Sequence, residues 1–169
     1  MSFSITIEYT KQDILKKILP WLYFYNSKTY RREVLPKNEI AQMTDTNLME
    51  WFNAVDKLEK FRDYILRRFK YDIKSHINSS FRCYERNEKF GGAKNSLHLK
   101  KWAIDIQDIE GGLITNLVKN QPTHDDKVFF EDCGLYFIGE YKNANFIHIQ
   151  GEPFKRTDSI YIPNSPAVK

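Results

Sequence analysis

From Thr46 to about Arg68, Leu48, Trp51, Phe52, Val55, Leu58, Ile65 and Leu66 recur at helical spacing, with Phe69 just beyond. A stripe repeating every three to four residues is buried only as one face of a helix, so the rest of the chain must supply an apolar surface for it to lie on. Asn47 followed by Glu50 offers a capping box for its first turn. Three segments have the period that such a surface needs. Ile73, Ser75 and Ile77 alternate with their neighbours; Trp102, Ile104 and Ile106 alternate with Ala103 and Asp105; and Phe146 to Gln150 places Ile147 and Ile149 on one face, His148 and Gln150 on the other. Strands of this kind bury one face and leave the other polar, as antiparallel strands do.

The expected fold is therefore α+β, a small antiparallel sheet backed by helices. A shorter helix is expected from Gly112 to about Asn120, and the polar run Tyr84 to Asn95, with Gly91 and Gly92, reads as a loop. Residues Ser4 to Arg32 combine a short alternation, Ile5 to Tyr9, with aromatics at Trp21, Tyr23, Phe24, Tyr25 and Tyr30, and read as a lid or arm. With no repeat and no internal linker, the 169 residues form a single domain: an arm over 1–45, a core over 46–151 and a tail over 152–169.

Composition narrows the function classes. A chain 41% hydrophobic and 15% aromatic can build a core and is not of the disordered class. The formal charge of +4 is spread among nearly equal numbers of bases and acids, and the cluster Arg67, Arg68 and Lys70 reads as the solvated end of a helix, so nucleic-acid binding is not expected. No apolar run approaches the roughly 18 residues of a membrane span, and Met1 to Lys17 lacks the apolar core of a secretory signal. Without an export signal, Cys83 and Cys133 are expected to stay reduced.

The chemistry is concentrated at His98, Asp105 and His148. His98 and Asp105 are seven residues apart around a turn into a strand, and His148 lies mid-strand on a polar face. Two imidazoles and a carboxylate meet the requirement of a catalytic zinc for three nitrogen or oxygen ligands. By spacing alone, a structural histidine is the commoner reading. The residues around them change it. Ser96, His98, Ala103 and Asp105 fit the pattern Ser-x-His-x-x-Gly-x-Ala-x-Asp, Ser79-Ser80-Phe81-Arg82 with the later Asn87 is similar to a Ser-Gly-Tyr-Arg segment followed by Asn, and Gly134 to Phe137 with Phe146 to Ile149 look like the strand pair that brings the second histidine. Over Thr46 to Gly151 the chain thus resembles zinc D-Ala-D-Ala carboxypeptidases and phage L-Ala-D-Glu endopeptidases, whose fold recurs in the hedgehog signalling domain.

The resemblance implies a zinc cofactor held by His98, Asp105 and His148, with Arg82 and Ser96 as substrate-binding groups. Its pattern is broken at Lys101, where relatives have glycine. It is broken again at Asn145 and Gln150, where many relatives place a carboxylate near the second histidine. An amide cannot take a proton at neutral pH, so Glu140, or next Glu152, is the expected general base, with Asp132 and His124 as further substitutes. The implied activity is cleavage of bacterial peptidoglycan peptides containing D-amino acids, a partner that suits the mild positive charge. The protein would be a phage endolysin or virion-borne enzyme, made in the cytoplasm and acting at the wall. The alternative is a catalytically inert zinc-binding or attachment protein of a viral particle with the same fold.

Overall fold

The computed structural model describes residues 9–107, 129, 132–138 and 146–152. The expected helix at 112–120, the alternation at 5–8, the residues Glu140, Asn145 and His124, and the tail from 153 lie outside them. The described chain runs through α1 (Lys11–Ile18), β1 (Tyr23–Asn26), β2 (Arg31–Val34), α2 (Lys37–Ile40), α3 (Asp45–Phe69), β3 (Ile77–Ser79), α4 (Tyr84–Lys89), α5 (Leu97–Lys100), β4 (Ala103–Gln107), β5 (Tyr136–Ile138) and β6 (Phe146–Gln150). All six described strands join one antiparallel sheet in the order β2-β1-β3-β4-β6-β5. The α+β class and the helix-backed sheet are as expected. None of the described helices is long and apolar enough to cross a membrane.

One face of the sheet closes the core. Ile104 and Ile106 of β4, Ile147 and Ile149 of β6 and Ile77 of β3 are buried with Trp51, Leu58, Phe61 and Ile65 of α3 in a single cluster. The stripe thus meets the isoleucine face of the strands, which is what their two periods require. The helix begins one turn before the expected cap. Thr44 is the N-cap, its hydroxyl accepting from the Asn47 N–H while the Asn47 side chain accepts from the Thr44 N–H. Asn47 is thus the third residue of the box, because Thr44 and Asn47 satisfy each other's donors and free Glu50 from that task.

Three local expectations are corrected. Residues 73–76 form a 3-10 turn, not a strand, because the Asp72 carboxylate caps the Lys74 N–H; only Ile77–Ser79 joins the sheet. Tyr84–Lys89 is a helical turn and a half rather than a loop. The region read as an arm is part of the core: Ile14, Ile18, Trp21, Leu22 and Leu35 are buried in the main cluster, and β1 and β2 extend the sheet. An aromatic run with both faces covered shows no alternation and is not recognisable as a strand by its period. Cys83 and Cys133 are separate buried thiols.

Candidate metal centre

The polar face of the sheet carries the site. Asp105 pairs with His148 across β4 and β6 and with Ser79 across β4 and β3, and Ser79 pairs with Phe24 of β1. Directly paired residues point to the same side, so Phe24, Ser79, Asp105 and His148 form one row across the sheet. A bulge between Ile77 and Ser79 makes this possible: it lets Ile77 face the core with Ile106 while Ser79 turns toward Asp105.

His98 reaches the row from α5. This single turn is closed by backbone bonds from the Leu99 and Lys100 N–H groups to the Ser96 carbonyl, and the Arg82 N–H donates to the His98 carbonyl at 2.9 Å. Upstream, the Asn87 side chain donates to the carbonyls of Gly92 and Ala93, fixing the approach to α5. A Cβ at Gly92 would lie 2.2 Å from Asn87 Oδ1 and force that side chain to shift. Lys101, in the position of the pattern's glycine, has a φ of −137°, so the left-handed freedom of glycine is not needed there.

Among the described residues, His98, Asp105 and His148 are the one group of three ligating side chains whose donor atoms all lie within 4.8 Å of one another. His98 Nε2 is 3.2 Å from Asp105 Oδ1 and 3.2 Å from His148 Nδ1, and His148 Nδ1 is 2.7 Å from Asp105 Oδ1. Two ligand atoms on a tetrahedral zinc with bonds of about 2.0–2.2 Å stand roughly 3.3–3.6 Å apart, so the triangle is slightly tight but of the right size.

The hydrogen bonds behind the ligands decide what the triangle can hold. His98 Nδ1–H donates to the Ser80 carbonyl at 2.6 Å, which leaves Nε2 with its lone pair toward Asp105. The Gln150 Nε2–H donates to the Glu152 carbonyl at 2.6 Å, so its Oε1 faces His148 and accepts from His148 Nε2–H at 3.1 Å. That leaves His148 Nδ1 as a lone pair too. Both rings are thus assigned tautomers that turn three lone pairs, two nitrogen and one carboxylate, toward one point. Such a convergence is repulsive unless a cation fills it, and two imidazoles with a carboxylate suit zinc.

Protonation agrees. His98 is 2% exposed and Asp105 5%. Burial pushes His98 down, against the pull of Asp105, and so favours the neutral ring. Burial alone would raise the Asp105 carboxyl; with a proton in the centre in the place of a cation, the charge of His98 and hydrogen bonds from His148 and His98 outweigh it and hold the group well below the usual carboxylate range. Neutral imidazole and ionised carboxylate are the forms that bind a metal.

The other expected site residues fall as follows. Arg82 stands beside the triangle: its Nη2–H donates to Asp105 Oδ2 at 2.6 Å and its Nε–H to Ser79 Oγ at 2.8 Å, while Nη1 has no partner among the described residues. Ser96 contributes its backbone to α5, and its hydroxyl makes no capping bond. Glu152 pairs with Lys101 and offers its carbonyl, rather than its carboxylate, to the site through Gln150. Gly151 allows this loop to lie flat on Trp102, where a Cβ would approach the ring to 2.7 Å. Asp132 is exposed, and Glu140 is outside the described residues.

Two contributors were not foreseen in the sequence. Gln150 orients His148; its place on the same strand face is visible in the sequence, where it shows only as an amide at a carboxylate's position. Ser80, fully buried, holds His98 through its carbonyl, while its hydroxyl accepts from the Tyr23 N–H and donates to the Tyr23 carbonyl, both at 2.8 Å. It ties β1 to His98, and in the sequence it shows only as the residue in the glycine position of the Ser-Gly-Tyr-Arg-like segment.

The family model described as Peptidase M15 matches residues 30–150 of this chain. No curated protein and no solved structure matches it.

Proposed function

The chain belongs to the peptidase M15 family, and from that membership we propose that it is a zinc metallopeptidase cutting D-amino-acid-containing peptides of bacterial peptidoglycan. The observation that carries the proposal is the convergence of three lone pairs from His98 Nε2, His148 Nδ1 and Asp105 Oδ1, each fixed by a partner behind it. When bound there, zinc supplies a Lewis acid that acidifies water and polarises a peptide carbonyl.

This chain's own residues do the rest. Ser80 and Gln150 keep both imidazole protons away from the centre, and Asp105 stays ionised. Arg82, braced by Ser79 and Asp105, presents Nη1 to a substrate carbonyl or carboxylate, where a guanidinium is worth more than a neutral donor. A general base remains to be supplied; Glu140 is our first candidate and Glu152 the second, with Ser96 a further peptide contact. The action is placed at the bacterial wall, in the manner of a phage endolysin or virion-borne enzyme.

A second reading is favoured by one observation. Gln150, at a position where many relatives have a carboxylate, is fully used in holding His148, which suits a protein that keeps the metal without turnover. Metal analysis of the purified protein, followed by digestion of muropeptides and mass spectrometry with and without a chelator, separates the two. Zinc near one equivalent with chelator-sensitive cleavage is expected. Zinc without cleavage supports the inert protein, and no zinc removes both readings.

A further inference from the structure

The polar row does not end at the metal ligands. Beyond Ser79 it continues to Phe24, and over that side of the sheet lies a groove of about 570 Å³ between β1, α2 and α4. This volume is in the range of sites that bind small molecules and short peptides. Its aromatic surfaces are Phe24, Tyr25 and Phe90, and Phe90 is 57% exposed. The Arg82 guanidinium, which holds Asp105, stands 5.9 Å from the centre of the Phe90 ring, so the groove and the metal centre share a wall.

The charges of the groove are unequal in availability. Arg86 is consumed: it lies 3.9 Å over the Phe24 ring and is paired with the buried Glu39. Glu85 is held by hydrogen bonds from its own backbone N–H, Cys83 and Gln42, which lower its carboxyl and keep it ionised. Lys28 and Lys89 also line the groove, and neither makes an ion pair among the described residues. Two lysines against the single ionised carboxylate of Glu85 leave the available charge positive, set beside exposed aromatic rings. β1 and Lys28 precede residue 30, where the family match begins.

We infer that this groove is a substrate subsite, binding the part of the peptide beyond the cleaved bond through a free carboxylate held by Lys28 and Lys89 against Phe90. The inference rests on the peptidase reading for its substrate. Its charge pattern selects an acidic peptide over its amidated form, because two ammonium groups outweigh the one carboxylate of Glu85 and reward a charge where a neutral amide gains little.

The test compares an N-acetylated stem peptide with free side carboxylates and the same peptide amidated, on the zinc-loaded full chain and on its Lys28→Gln, Lys89→Gln double variant. The readout is KM where the peptide is cut, and the dissociation constant from an NMR titration where it is not. The double variant is expected to weaken the acidic peptide by about five- to tenfold, as for two partly exposed ion pairs. It should leave the amidated peptide within twofold, and added salt should weaken only the acidic one. Equal effects on both peptides, or no effect on the acidic one, overturn the subsite. Absence of cleavage by the unmodified protein counts against the peptidase reading, and the titration then still decides the groove.

Discussion

Replacing Gln150 by alanine tests whether the ligand tautomers are set from behind. Gln150 is 6% exposed and joins two bonds in series: it donates to the Glu152 carbonyl at 2.6 Å and accepts from His148 Nε2–H at 3.1 Å. Without the amide, His148 loses the acceptor that keeps its proton on Nε2. The ring can then move that proton to Nδ1, toward Asp105 Oδ1 2.7 Å away, and a protonated Nδ1 cannot bind a metal. Losing such a partner typically costs 10–100-fold in metal affinity, about 1.4–2.7 kcal/mol, which agrees with the roughly 1–3 kcal/mol of a buried donor left without its acceptor. Competition with a chromophoric chelator measures the zinc dissociation constant. Gln150→Glu keeps an acceptor at this position and adds charge, so it should bind zinc at least as tightly as the parent. A Gln150→Ala variant within twofold of the parent, with its fold intact by circular dichroism, would refute the relay.

Three other outcomes follow from the same contacts. His98→Ala should abolish zinc binding while the far-ultraviolet circular dichroism stays near that of the parent, because the core is on the opposite face of the sheet. Trp51→Ala should cost about 3–5 kcal/mol in a denaturant melt, since Trp51 is completely buried under the sheet. Arg62→Gln should lose about 1 kcal/mol at neutral pH, because Arg62 donates to Asp72 at 2.7 and 3.1 Å and both side chains are mostly shielded. The hydrogen bond and charge of Arg62 hold the Asp72 carboxyl below its ordinary range in the folded state. The stabilisation is therefore present above the unfolded carboxyl's pKa, about 3.9, and is lost as pH falls through the lower folded value. Stability curves of parent and variant should converge at acid pH; a constant gap would mean that Arg62 acts by packing.

Legibility in the sequence followed the length scale of each interaction. The α3 stripe and the isoleucines of β4 and β6 are periodic over many residues, so both elements and their buried faces could be read directly. The same alternation put Asp105 and His148 on polar faces before any pairing was known. Their register, Asp105 opposite His148, depends on the strand order, which joins β4 to β6 although β5 lies between them in the chain. Short elements set by single hydrogen bonds carry no such period. Asp72 turns residues 73–76 into a 3-10 turn through one N–H, and Thr44 moves the start of α3 by one turn.

The N-terminal region shows the strongest limit of pattern reading, and it has a physical cause. Tyr23, Phe24, Tyr25 and Asn26 are all half-buried, because one face of β1 meets the core and the other meets Arg86 and the groove. A strand covered on both sides has no need for alternation, so it leaves only an aromatic run. What docks β1 is equally silent: beyond the single pair Phe24 with Ser79, the Ser80 hydroxyl serves both the N–H and the carbonyl of Tyr23 in place of further ladder bonds. The same residue's carbonyl fixes the tautomer of His98. A side chain that replaces backbone pairing can occur at any serine, and only the fold tells which one. It follows that Ser80 connects β1 to His98, beside the path from Phe24 through Ser79 to Asp105. A change at Ser80 should therefore be felt both in the docking of the hairpin and in the ligand, whereas a change on the exposed β2 edge, such as at Val34, should be felt in neither.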